Sequence, residues 1–546
     1  MADEGSDISG RDDIAGESNI DSKTQDESDD RIASEVCLID QNQDKASAEA
    51  EDIQHAGVFL GCPLVIGTSD VYKVKDSSVV IIAVCERKPG EELNVKHNVE
   101  VFKKIVPTIA KLACKAVLLV VTQPIDVMSC VINKLTVITA ILCLQHLPFH
   151  TVSIWSSIHV AGTKIRDINP RMGEADDPEK WRDISEAVNK TDAELNRKKG
   201  EKGPSCWALG FCTTEIVDAI VRNTKVVLPA STYIHCYIEK RKSVGASNMT
   251  ESRRKSPDVA GNTVTFLLTK QAEHLVDGHR VKVVVVGSDP KGVAVAIAIL
   301  FKRLASELVL IDVNEDLAKA EAEDISHAAA YLGNPKIIGT KDYACARDAA
   351  VCVITVGSQS YEDQQSADYL EHNLKIFKDI IPNVSKYAPN SVLLILSKPV
   401  DILSYVAMKL SGFPPNRVIG LGTFLDSCRF QYFIAQKLGI SASAIQALII
   451  GESGPASVPV WSAVAVMGMP LKDINKEIGM RTDPESWGDL HAKIIDSDNE
   501  LITKKGYHSW GVGICASEIV DAIVRNTCAC FTVSTFLKVS QSGFIY

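Results

Sequence analysis

Apolar residues in this chain fall in short, nearly continuous runs rather than in strict alternation. In the second half, the run Val281–Val286 leads into the glycine turn Gly287 to Gly292 (GSDPKG) and then an apolar helical stretch, Val293–Leu304. Glu307–Ile311 follows and ends at Asp312; further runs lie at Ala350–Val356, Val392–Ser397 and Arg417–Gly420, with helical segments between them. Runs of this kind are strands buried on both faces, and their alternation with helices predicts a doubly wound parallel α/β sheet. Strand, glycine turn, helix, strand and acidic residue make the mononucleotide-binding half of such a sheet, with strand order 3-2-1-4-5-6.

The pattern occurs twice. EIVDAIVRNT stands at Glu215–Thr224 and again at Glu518–Thr527, AEAEDI-x-HA at Ala48–Ala56 and Ala320–Ala328, and DPE-x-W-x-D at Asp177–Asp183 and Asp483–Asp489. One unit copied in tandem explains all three. The offset drifts from 272 to 275 to 306 and back to 303, so the first copy lacks three residues and then a further 31. It begins near Ile32, and nothing in it matches Val281–Gly292. The expected organisation is an acidic tail (1–30), a truncated copy one (31–238), a linker (239–274) and copy two (275–546). Losing the first strand removes the middle of the sheet, so copy one should face a gap of unpaired backbone groups unless something closes or fills it.

Composition changes the picture at three places. Met1–Asp30 carries eleven acidic residues against Arg11 and Lys23, supplying about nine of the eleven net negative charges and reading as a solvated, disordered tail. The remainder is near neutral, with no basic surface for nucleic acid. Leu135–Gly162 has no charged residue, but Gln145, His146, Pro148 and His150 point to two buried strands and a turn rather than a membrane span. Lys240 to Lys242 and Arg253 to Lys255 have the spacing of a bipartite nuclear-import signal, although basic residues also keep a linker in solution. Fifteen cysteines without CxxC spacing, and no signal-peptide pattern, indicate reduced thiols in a cytoplasmic protein with no metal site.

From about Lys282 to Lys538, copy two resembles the L-lactate/malate dehydrogenase family. The resemblance rests on LIDV (Leu310–Val313), EDISHA, PVDIL (Pro399–Leu403), SGFPPNRVIGLGTFLDSCRF (Ser411–Phe430) and SVPVWS (Ser457–Ser462). Ser358–Tyr361 (SQSY) also resembles the dehydrogenase-like domain fused to ubiquitin-conjugating-enzyme variants. The resemblance implies lactate-dehydrogenase-type units with partial α+β substrate subdomains, NAD as cofactor and a small 2-oxo or 2-hydroxy carboxylate as substrate. The family fold adds a terminal piece after VSTFLK that both copies are expected to lack. It also implies that the EDIQHA and EDISHA helices dock the copies as an intrachain pseudo-dimer, with homo-oligomers a further option.

Against the family's motif, the catalytic parts are depleted. The base histidine of G-E-H-G-D is Ser453, and a hydroxyl cannot hold a proton in transit near neutrality. The mobile-loop arginine position, seven before Asn373, is Ser366, and the asparagine of S-N-P-V-D is Lys398. In copy one the corresponding residues are Leu147 (with His146 one place off), Glu91 and Gln123. Asp426 and Arg429, the family's histidine-orienting acid and carboxylate clamp, survive in copy two only. His508 replaces a small residue of the pocket wall. Of the cofactor residues, Gly287, Gly292 and Asp312 remain, but Asp289 stands at the middle glycine and is followed by Pro290. Weak NAD binding is expected in copy two and none in copy one. Two readings follow: a pseudoenzyme serving as a binding or assembly module, or a weak NAD-dependent oxidoreductase using Arg429 with His508 or Lys398 as base.

Overall fold

A computed structural model describes residues 32–84, 95–122, 125–136, 141–143, 158–160, 163–200, 206–224, 281–357 and 366–536. They form two tandem Rossmann-type units, the first truncated. The first contains β1 (Glu35–Ile39), β2 (Leu64–Thr68), β3 (Val79–Ile82), β4 (Val117–Val120), β5 (Ile141–Cys143) and a short hairpin of β6 (His159–Val160) and β7 (Thr163–Lys164). The second contains β8 (Lys282–Val286), β9 (Glu307–Ile311), β10 (Lys336–Thr340), β11 (Val351–Ile354), β12 (Val392–Ile395) and β13 (Val418–Gly420).

In the second unit these six strands form one parallel sheet ordered β10-β9-β8-β11-β12-β13, the 3-2-1-4-5-6 order. Its centre is β8, whose four valines are essentially fully buried and divide between the cores on either face. Each contributes roughly 1.5–3 kcal/mol by leaving water. The helix after the glycine turn runs Pro290–Phe301, three residues earlier than its apolar pattern suggested. The reason is local: Asp289 caps it and Pro290 supplies the preset φ of a first helical turn.

Among the described residues the first unit has no counterpart of β8. Its sheet is split into β1-β2 and β3-β4-β5, all parallel within each piece. Ile141–Cys143 forms β5 inside Leu135–Gly162, the stretch expected to hold two buried strands and a turn. In the second unit Ala447–Trp461 holds an antiparallel hairpin, β15 (Ile449–Gly451) with β16 (Ser457–Pro459). The structure instead pairs β5 parallel to β4, the sheet position that β13 holds beside β12. β5 thereby satisfies the backbone groups along the edge of β4. The rest of that expected strand pair falls largely at 144–157, outside the described residues, as do His146, Leu147, Glu91, Gln123, the acidic tail and the basic linker clusters.

The two units meet through reciprocal contacts. Asp52, on helix Gln43–Gln54, accepts from the backbone N–H of Ser509, Trp510 and Gly511, each at 3.0 Å, and from Lys505 Nζ at 2.7 Å. Asp324, on helix Glu315–Ser326, accepts from the N–H of Cys206, Trp207 and Ala208 at 3.0–3.2 Å and from Lys199 Nζ at 2.6 Å. Each carboxylate therefore caps the N-terminus of the other unit's helix, Trp510–Arg525 or Trp207–Val221. Between them Trp207 and Trp510 meet edge-on, 6.0 Å apart. The symmetry breaks at the histidines. His55 is buried and its Nδ1 accepts from Arg429 Nε at 3.2 Å, whereas the equivalent His327 is exposed. The segment that would cover His327 lies in the first unit's deletion.

Candidate functional site

The glycine turn retains a nucleotide-binding shape. Gly287 has φ +115°, and a Cβ on Gly292 would sit 1.9 Å from the Gly287 carbonyl oxygen, so both positions require glycine. Its donors are engaged, however. Asp289 Oδ1 accepts the Gly292 N–H at 2.9 Å, and Asp312 accepts from the N–H of Ser288 (2.7 Å) and Asn314 (2.9 Å). A phosphate at a helix N-terminus needs such N–H groups. The backbone cradle therefore fits a dinucleotide, but the side chain at its mouth does not: a pyrophosphate would have to displace the Asp289 carboxylate.

Five of the six catalytic-position residues converge. Asp426 and Arg429 share one face of helix Phe424–Leu438, Lys398 follows β12, Ser453 lies in the β15–β16 turn, and His508 precedes helix Trp510–Arg525. They line one cavity together with Lys291 and Asp498. Ser366 is the first residue of helix Ser366–Tyr387, and its side chain lies outside the described residues. Among the described residues no His, Cys, Asp or Glu cluster is arranged to hold a metal ion.

Asp498 organises this cavity. From helix Asp489–Lys505 it bonds Arg429 Nη2, Lys398 Nζ and His508 Nδ1, the last at 2.9 Å. Burial works to raise its carboxyl, but Arg429, His508 and Lys398 together hold it well below the ordinary carboxylate range. Burial works to lower Lys398, yet Asp498 raises it, so the amine stays an ammonium. His508 is lowered, by burial against the opposing pull of Asp498, and Lys291 is lowered by burial. Ser453 Oγ donates to Asp426 Oδ2 at 2.7 Å, and Arg429 Nη1 reaches Asp426 Oδ1 at 3.3 Å. The space left measures about 20 Å³. That holds a water molecule, which needs on the order of 10–15 Å³, and not a three-carbon acid.

Asp498 and Lys291 were the residues missed from sequence. One signal for Asp498 was available: Asp192 occupies the same register in the first unit, at offset 306.

A six-stranded 3-2-1-4-5-6 sheet with a glycine-turn nucleotide cradle, followed by a subdomain bearing an Asp–Arg pair, defines a dinucleotide-dependent dehydrogenase class. The lactate/malate dehydrogenase NAD-binding domain matches residues 26–140 and 281–420, and the alpha/beta C-terminal domain of the same family matches 423–543. The chain belongs to the lactate/malate dehydrogenase family. It is 45% identical over 260 residues to human L-lactate dehydrogenase A-like 6A (48% of this chain, 78% of that one). It is 46% identical over 257 residues to the Danio rerio L-lactate dehydrogenase A chain (47% and 77%), and 42% over 272 to the Squalus acanthias B chain (50% and 81%). NAD is the cofactor of this family's first domain. No helix among the described residues is long and apolar enough to cross a membrane.

Proposed function

We propose that this chain is a tandem, degenerate member of the family that has lost hydride transfer and acts as a binding or assembly module. The observation that carries this reading is Asp498. Its carboxylate pairs with Arg429, the residue at the family's clamp position, in a cavity with room for about one water. The serine at the base position and the ammonium at Lys398 support it, since neither takes a proton readily near pH 7. NAD then binds weakly in the second unit, against Asp289, and not in the first, which has no glycine turn. The organisation is a tail at 1–30, units at 31–238 and 275–546, and a linker at 239–274, in a cytoplasmic protein. The reciprocal Asp52 and Asp324 contacts support an intrachain pseudo-dimer, with homo-oligomerisation a further level of assembly.

The alternative, a weak oxidoreductase, is favoured by one observation: His508 lines the same cavity as Arg429. Turnover separates the two. Full-length protein with NADH and pyruvate should show no oxidation near ordinary enzyme rates, about 1 s⁻¹ or more. Turnover at that level, abolished in His508→Ala, would replace the first reading with the second.

A further inference from the structure

Lys291 is a buried lysine with no part in the proposed function. It stands in the first turn of helix Pro290–Phe301, is 7% exposed, and lines the same cavity as Lys398, Arg429 and His508. Among the described residues no hydrogen bond or ion pair reaches its Nζ. The other charges around the cavity are already matched. Asp498 bonds Lys398 and Arg429, and Asp426 takes a second arm of Arg429 at 3.3 Å. Asp289, two residues back, is turned to the Gly292 N–H as the helix cap. A buried ammonium without a counter-ion is costly, and a cation in the first turn of a helix opposes its macrodipole. Lys291 is lowered from the ordinary lysine value, by burial first; Lys398 adds to this, while Asp289 and Asp498 oppose it. A desolvated lysine beside another cation is the setting that makes an amine nucleophilic.

We propose that Lys291 is such a nucleophile and that this cavity is a modification site for a one-carbon aldehyde. Size selects the electrophile. The cavity measures about 20 Å³, and a water takes on the order of 10–15 Å³, so an adduct can add little more than one heavy atom. The Lys291 Nζ lone pair attacks the carbonyl carbon of formaldehyde, and a proton passes from nitrogen to oxygen. The carbinolamine then loses water and leaves an imine between Nζ and a methylene group. The side chain has gained a single carbon. Longer carbonyl compounds need more room than the cavity offers. A carboxylate on the electrophile would find no clamp either, because Arg429 is held by Asp498 and Asp426. Entry is past Lys398, whose side chain is 42% exposed.

The test uses the full-length chain and formaldehyde itself. At about pH 6 an ordinary lysine, of pKa about 10.4, is almost wholly protonated, and each unit below that value raises the neutral fraction about tenfold. The protein is treated briefly at that pH with isotopically labelled formaldehyde and cyanoborohydride, which reduces an imine to a stable methylamine. Peptide mass spectrometry should find Lys291 methylated at least about tenfold faster than the exposed Lys336 and Lys375. Propionaldehyde should alkylate those two and leave Lys291 untouched. In denaturing urea the preference for Lys291 should vanish, since the fold creates it. Labelling of Lys291 no faster than of the exposed lysines overturns the proposal. So does a preference that survives urea, which would belong to the local sequence, and so does equal labelling by propionaldehyde, which would remove the size selection.

Discussion

Arg429 is paired with Asp498, a residue of the same chain, and both line one cavity. Under the proposed function, in which Arg429 is the carboxylate clamp, a carboxylate supplied by the protein thus stands in the substrate's place. Asp289 repeats the arrangement at the glycine turn, capping the helix with an anion where a phosphate would sit. Both anion sites carry internal anions.

Removing Asp498 should expose the clamp. Asp498→Ala leaves Arg429 and Lys398 without their shared counter-ion and should destabilise the second unit by about 3–5 kcal/mol, the usual cost of breaking a buried pair. Pyruvate or oxalate, added in the millimolar range, should then raise the melting temperature of the variant by mass action, with little effect on the unsubstituted chain. Identical responses of the two proteins would mean that Asp498 does not block the site.

Asp289→Gly should tighten NADH binding. The like charge beside a phosphate costs roughly 1–4 kcal/mol at intermediate dielectric, whereas exchanging an aspartate cap for glycine costs the helix only a few tenths. Calorimetry should therefore record an affinity gain of tenfold or more. Equal affinities would place the cofactor elsewhere.

Stability should fall on mild acidification. His55 and His508 are both buried and held below the ordinary histidine value, His55 by burial with help from Arg429 and against Glu51. Above about pH 6.5, the unfolded value, both states are neutral and the contribution is complete. Below it the unfolded chain takes up protons that the folded chain refuses, so stability drops by up to about 1.4 kcal/mol per pH unit for each histidine. Melting curves from pH 7.5 to 5 should show this slope, and His55→Gln should flatten it.

The contact between units rests on matched acids. Asp52→Ala and Asp324→Ala each strip a buried lysine of a partner and one helix of its cap, and each should cost about 3–5 kcal/mol. Cleavage at a protease site engineered into the expected linker, 239–274, followed by gel filtration, should leave the fragments associated in the otherwise unsubstituted protein and separated in the double variant. Co-elution of the double-variant fragments would show that the caps are dispensable.

Local features were legible in sequence, and distant ones only where a repeated motif marked them, as the EDIQHA and EDISHA helices do. Gly292 and Asp312 sit where strand, turn and helix put them within some thirty residues, so backbone logic alone finds them. Asp498 meets Arg429 across 69 residues of chain, and only the packing of two helices brings them together. Asp289 was legible as a charge near a phosphate, but the Asp-Pro pair also marks a helix cap, and that is the bond it makes. Ile141–Cys143 lay in a stretch legible as buried strand, but its parallel pairing to β4 depends on a sheet edge contributed by distant residues, which no local pattern encodes.

The reciprocal capping by Asp52 and Asp324 is a two-fold contact written into one polypeptide. A contact of this kind between separate subunits forms only above its dissociation constant, and melting then depends on protein concentration. Here the two sides belong to one chain, so their association is intramolecular and does not weaken on dilution. The melting temperature should therefore be independent of concentration. The two sides are also freed from being identical: a change in one is no longer copied into the other. His55 has kept its arginine while His327 has lost one, an asymmetry that a homodimer, with both sides read from one sequence, cannot build.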